Sequence, residues 1–149
     1  MGTLTTPAAG DIYTDTQTLI YTVQRHPVYA PLCRPLWQAA TTGQNRVFSS
    51  DLALMETLVM PLRNADTVLQ GQFEHFLLHS DVTLLPITQS VLREAARLRA
   101  SIPALKTPDA LHVATALLHG CVLFITNDLG FQRVPGLPLA ILDEVIAAP

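Results

Sequence analysis

Short apolar runs that end on an acidic residue, each followed by helical spacing, set the pattern of this chain. Residues 12 to 14, Ile-Tyr-Thr, form a β-prone run that stops at Asp15, and TQTLIYTV then keeps helical spacing until His26-Pro27 breaks it. Tyr29, Leu32, Cys33, Leu36, Trp37 and Ala40 predict a second helix across 28 to 41, in which Pro31 and Pro35 are the weak points. Gly43-Gln44-Asn45 predicts a loop, RVFSS at 46 to 50 a second strand, and Ser50-Asp51 the cap of a helix. In that helix Leu52, Leu54, Met55, Leu58 and Val59 surround a single acid, Glu56.

The pattern continues in the second half. Residues 64 to 79 predict a helix buried through Val68, Leu69, Phe73, Phe76 and Leu77. VTLLPI at 82 to 87 predicts a third strand, and SVLREAARLRA at 90 to 100 a helix buried through Leu92, Ala95, Ala96 and Leu98. Thr107-Pro108-Asp109 is the clearest helix start: Thr to cap, Pro at the first helical position, Asp in the first turn. Gly120 ends that helix. VLFIT at 122 to 126 is nearly all apolar, as in a parallel strand buried on both faces, and runs into Asn127-Asp128; PLAIL at 138 to 142 predicts a last strand. Strands alternating with helices predict an α/β fold, a three-layer α/β/α arrangement around a mostly parallel sheet.

Composition narrows this to one domain. At 149 residues and 49% hydrophobic content, residues 1 to 149 can bury a core without staples. No apolar run reaches the roughly 18 to 20 residues that cross a bilayer, and MGTLTTPAAGD lacks the basic and apolar segments of a secretory signal, so a cytoplasmic protein is expected, with no membrane partner. Cys33 and Cys121 belong to no metal or disulfide spacing and read as core thiols. The net charge of −3 does not advertise a broad phosphate-binding surface. Metal ions in a site would themselves bring positive charge to a phosphate.

Ligands of open α/β sheets bind beyond the carboxyl ends of the strands. Asp15 and Asp128 both follow such ends, Asp109 opens a helix from the same edge, and Glu56 is the polar interruption of an apolar helix. Two carboxylates about 5 Å apart repel by roughly 3 kcal/mol at an effective dielectric near 20, so a cluster of four calls for a cation. An all-oxygen set suits Mg2+ or Mn2+ rather than zinc, and such ions suit phosphodiester hydrolysis.

The segments IYTDTQTLIY, SSDLALME, KTPDALHVATALLHGC and FITNDLGF, in this order, resemble the PIN-domain family over nearly the whole chain. In size and in lacking further domains the chain is most similar to the VapC-type toxins of bacterial toxin–antitoxin pairs. The resemblance implies a PIN-like fold and a Mg2+- or Mn2+-dependent endoribonuclease, dimeric and silenced by a small antitoxin. It assigns Asp15, Glu56, Asp109 and Asp128 to a catalytic metal site, with Thr126 and Asn127 in its wall. Gln17 stands where the family commonly has Asn, and Gly130 where some members have a further acid.

Blander readings stand beside these. Each acid alone is a cap or turn former, and their joint placement raises the functional reading. His75 and His79 lie four apart, but Phe76 replaces the Glu that a catalytic zinc motif needs, so a solvated face is expected. His112 shares a helix face with Asp109 and is assigned a packing or hydrogen-bonding role. Arg25 and His26 read as an exposed turn or an RNA contact. The aromatic residues form no stacking platform with Lys or Arg on any strand. The alternatives are a catalytically weak PIN-like module that binds RNA or protein, a receiver-like or phosphatase domain, whose acids would be spaced otherwise, and a dinucleotide-binding domain, which DTQTL excludes by lacking glycine.

Overall fold

A computed structural model describes residues 1–149. Five strands, β1 (Ile12–Thr14), β2 (Val47–Ser50), β3 (Val82–Leu85), β4 (Leu123–Thr126) and β5 (Leu139–Ile141), form one sheet in the order β3-β2-β1-β4-β5. Every pairing is parallel, with Ile12 opposite both Val47 and Leu123. The strands alternate their side chains between two cores. Tyr13, Phe48 and Phe124 face α6 (Gln89–Ser101) and α7 (Thr107–His119), where Val91, Ala95, Leu98, Ala110, Val113 and Ala114 are buried. Ile12, Val47, Val82 and Ile125 face the other layer, made by Leu19 of α1 (Thr16–Val23), Leu36 of α3 (Arg34–Thr42), Ala53 of α4 (Leu52–Arg63), Leu77 of α5 (Thr67–His79) and Leu142 of α8 (Leu142–Ala147). The three-layer reading holds, and the sheet is wholly rather than mostly parallel.

Several local expectations need correction. The single helix expected across 28 to 41 is two, α2 (Tyr29–Leu32) and α3, meeting at Cys33. Pro35 has no N–H to give to the Pro31 carbonyl, so the ladder lapses there. The cap of α7 is Lys106 rather than Thr107, which is itself helical, and no side chain caps that end. Helix α5 starts later than expected, at Thr67, with the Asp66 carboxylate accepting from Leu69 N at 3.0 Å. Its Val68 is 70% exposed, and in α6 Leu92 points outward while Val91 takes the core position. Helix α8 follows β5 directly and was not expected from the sequence; Leu142, expected to end the last strand, starts it.

Candidate functional site

The edge at the carboxyl ends of the strands carries the acids. Asp15 follows β1 in extended conformation, and its backbone N donates to Ile125 O at 3.2 Å, which joins the ends of β1 and β4. Its side chain caps α1. Oδ1 accepts from Thr18 N at 3.2 Å and Thr18 Oγ1 at 3.1 Å, and Oδ2 accepts from Thr126 Oγ1 at 2.5 Å. Asp15 is only 6% exposed, and burial pushes its pKa above the ordinary value against the lowering effect of Thr126, His112 and Thr18. Thr126 also accepts from Asp128 N at 3.0 Å, so one buried hydroxyl links two acids from different strand ends.

Asp128 is exposed, and its Oδ1 accepts from Gly130 N at 2.7 Å. A Cβ at Gly130 would stand 3.0 Å from that oxygen and 3.0 Å from Arg133 Nη1. The glycine that departs from the family pattern is thus the residue whose backbone holds Asp128. Asn127 works outward: Oδ1 accepts from Asp143 N at 2.8 Å at the start of α8, and Nδ2 donates to Tyr21 Oη at 3.4 Å. These contacts join the end of β4 to α8 and α1.

Glu56 reaches the same place from α4. Its Oε1 accepts from Thr16 Oγ1 at 2.7 Å and lies 2.8 Å from His112 Nε2. Burial alone would raise its pKa, yet the hydrogen bonds from His112 and Thr16 hold it below the ordinary value, ionised. His112 is buried on α7 one turn after Asp109, and its Nδ1 is 2.6 Å from Tyr13 Oη. Asp109 differs from the other three. It is half-buried, no group of the protein donates a hydrogen bond to its side chain, and burial followed by the negative charge of Asp128 raises its pKa.

All four acids line one open cleft of about 330 Å³, together with Thr16, Gln17, His112 and Asn127. No three carboxylate or imidazole groups converge as a ready-made ligand cage. The donors still fit a hard divalent cation in kind, because all are carboxylate oxygens and the Asp109 pair has no partner in the protein. Mg2+ commonly keeps several waters and uses one or two carboxylates, so a closed cage is not required.

Sequence reasoning did not single out Thr16, and it gave His112 a packing or hydrogen-bonding role. The available signal was a histidine within an apolar helix, three residues after Asp109, but its partners Tyr13 and Glu56 are 99 and 56 residues away in the chain. His75 and His79 have ring centroids 5.6 Å apart on an exposed face and join no metal cluster. Arg25 has φ 53°, and His26 Nδ1 accepts from Val28 N at 3.2 Å, so both build the turn after α1. Cys33 is buried and Cys121 only half-buried, yet burial pushes both thiols up to about 12. Both are therefore expected to resist iodoacetamide in mild alkali until the protein unfolds, and rapid alkylation of the native protein, read by mass, would contradict this.

The sequence matches the PIN domain family over residues 12–137. Among curated proteins none matches it. Three similar solved structures are VapBC2 from Rickettsia felis bound to a DNA fragment from their promoter, VapBC-1 from nontypeable Haemophilus influenzae, and VapBC-5 from Mycobacterium tuberculosis, described as a member of the VapBC family of toxin–antitoxin systems. The first has TM-score 0.70 and 20% identity, covering 87% of this chain and 98% of that one. The second has TM-score 0.60 and 16% identity over 89% and 98%, and the third 0.56 and 22% over 91% and 98%. At such identities the likeness is one of fold, whereas the family match spans most of the sequence with its acids at one strand edge. The chain belongs to the PIN-domain family.

Proposed function

We propose that this protein is a Mg2+- or Mn2+-dependent endoribonuclease, the toxin of a type II toxin–antitoxin pair. The observation that carries the reading is the gathering of Asp15, Glu56, Asp109 and Asp128 into one cleft, where Asp109 has no neutralising partner. These carboxylates would hold the cation, with Thr126 and Asn127 fixing the wall. When bound, divalent ions generate hydroxide from water, orient an in-line attack on a phosphodiester and stabilise the departing oxygen. The protein's own part is to keep four negative charges facing one volume: Thr18 and Thr126 orient Asp15, and Gly130 N orients Asp128. RNA as substrate follows from the family resemblance.

The similar structures carry toxin–antitoxin names, which supports a small antitoxin as partner. Met55, Met60 and Leu62 on α4 and Val68 on α5, each more than half exposed, offer apolar surface for that partner or for a homodimer. No helix is long and apolar enough to cross a membrane.

The test is cleavage of a mixed cellular RNA pool by the purified protein free of antitoxin. Cuts are expected with Mg2+ or Mn2+, none with chelator, and none from Asp109→Asn protein prepared alongside. Folded protein that cuts no RNA under any metal would instead favour the PIN-like binding module.

A further inference from the structure

Beneath the acids runs a buried chain of hydrogen bonds that the four carboxylates do not explain. Tyr13 Oη is 2.6 Å from His112 Nδ1, and His112 Nε2 is 2.8 Å from Glu56 Oε1. Tyr13 is 0% exposed and His112 3%, so the hydroxyl and the ring have no bulk water to pair with. The direction of the chain follows from its ends. A carboxylate only accepts, so Nε2 carries a proton and donates it to Oε1. Ser49 Oγ, a buried hydroxyl with no other partner, lies beside Tyr13 Oη and can donate to it, which leaves the phenol proton to go to Nδ1.

Oε1 also accepts from Thr16 Oγ1 at 2.7 Å, so two donors converge on this one oxygen while Oε2 has none. On the metal-nuclease reading, we infer that Tyr13 and His112 are positioning residues that clamp Glu56 through Oε1 and leave Oε2 as its single metal-binding oxygen. Three elements meet in this clamp. Tyr13 comes from β1, Glu56 from α4 and His112 from α7, so the clamp also registers the helices of both layers against the central strand. The Tyr13 ring stacks on Phe124 with centroids 5.0 Å apart, which fixes the phenol independently of its hydroxyl.

The discriminating variant is Tyr13→Phe, which keeps that stacking and removes only the oxygen that orients the imidazole. Binding of Mn2+ to the full chain is read from the free-ion paramagnetic resonance signal, and RNA cleavage is followed as Mn2+ is raised. Tyr13→Phe is expected to weaken Mn2+ about ten-fold and His112→Ala about ten- to a hundred-fold, the range typical of groups that orient metal ligands. His112→Gln, which can restore an N–H toward Glu56, recovers part of the loss. For Tyr13→Phe the Mn2+ concentration needed for half-maximal cleavage rises by more than turnover at saturating Mn2+ falls, because the loss lies chiefly in occupancy. A packing role alone would lower the unfolding midpoint and leave Mn2+ affinity in place. A Tyr13→Phe protein that binds Mn2+ as tightly as a parent that binds and cuts overturns the inference alone. A parent that neither binds Mn2+ nor cuts overturns the nuclease reading as well.

Discussion

Asp15→Ala and Asp109→Asn should both abolish RNA cleavage, yet only Asp15→Ala should lower stability appreciably. Each removes one carboxylate from a site where charge stabilisation is worth several kcal/mol, so a loss of at least about a hundred-fold in rate is expected from either. Their structural duties differ. Asp15 caps α1 through Thr18 and accepts from the buried Thr126 hydroxyl. Alanine there removes a cap worth about 1 kcal/mol and orphans the Thr18 and Thr126 hydroxyls at about 1 to 3 kcal/mol each, partly offset by relief of the buried charge, for a net cost of about 2 to 4 kcal/mol. For a domain of this size that corresponds to a fall of roughly 5 to 12 °C in the unfolding midpoint. Asp109 makes no hydrogen bond that asparagine would break, and relief from the charge of Asp128 offsets the lost interaction with the α7 dipole, each about half a kcal/mol at a half-exposed position. Its midpoint should stay within about 2 °C of the parent. Thermal unfolding beside a cleavage assay checks both. An Asp109→Asn protein that cuts at the parental rate sinks the assignment of that acid.

The second large effect is stabilisation by the cation itself, with a pH dependence whose sign can be worked out. Asp15 and Asp109 have pKa values raised in the fold, by burial first and, for Asp109, then by Asp128. A group raised in the folded state contributes stability that is complete below its unfolded pKa and lost as pH rises through the folded one. Metal-free protein should therefore gain stability on mild acidification from neutrality. The gain ends where Glu56, held low by His112 and Thr16 despite its burial, takes up its proton, since that contribution is lost as pH falls through its folded pKa. At neutral pH, Mn2+ at a hundred times its dissociation constant should add about 2.7 kcal/mol, or roughly 5 to 11 °C. The increment should fade in acid as the ligands bind protons. Chelated protein whose midpoint only declines from neutrality into the carboxylate range, or which ignores Mn2+, would contradict the balance of charges described for the cleft.

What the sequence could reveal was whatever is local. IYT before Asp15 and VLFIT before Asn127-Asp128 are short apolar runs whose length and flanks specify buried parallel strands, and the acids follow by position alone. Glu56 stood out because nothing else on its helix was charged until Arg63. The misses have the opposite character. Whether Leu92 or Val91 faces the core differs by a rotation of 100° about α6, and the composition of SVLREAARLRA supports both. Helix α8 is six residues long and gains its first-turn partner from Asn127, in a different loop. Thr16 could be recognised only by folding α4 and α7 beside it, since a hydroxyl after a strand reads equally well as the start of a helix.

The central place of β1 has a consequence for the order in which this protein can be made. Its first neighbour, β2, arrives by residue 50, but its second, β4, only with Leu123–Thr126. A ribosome that has released only the first hundred residues has produced Asp15 and Glu56, without Thr126 to satisfy one and without His112 to hold the other. On the proposed nuclease function, the nascent chain therefore cannot complete its acidic site until β4 has been made. Two separately expressed fragments, divided in the loop before Thr107, should each be inert and regain cleavage on mixing.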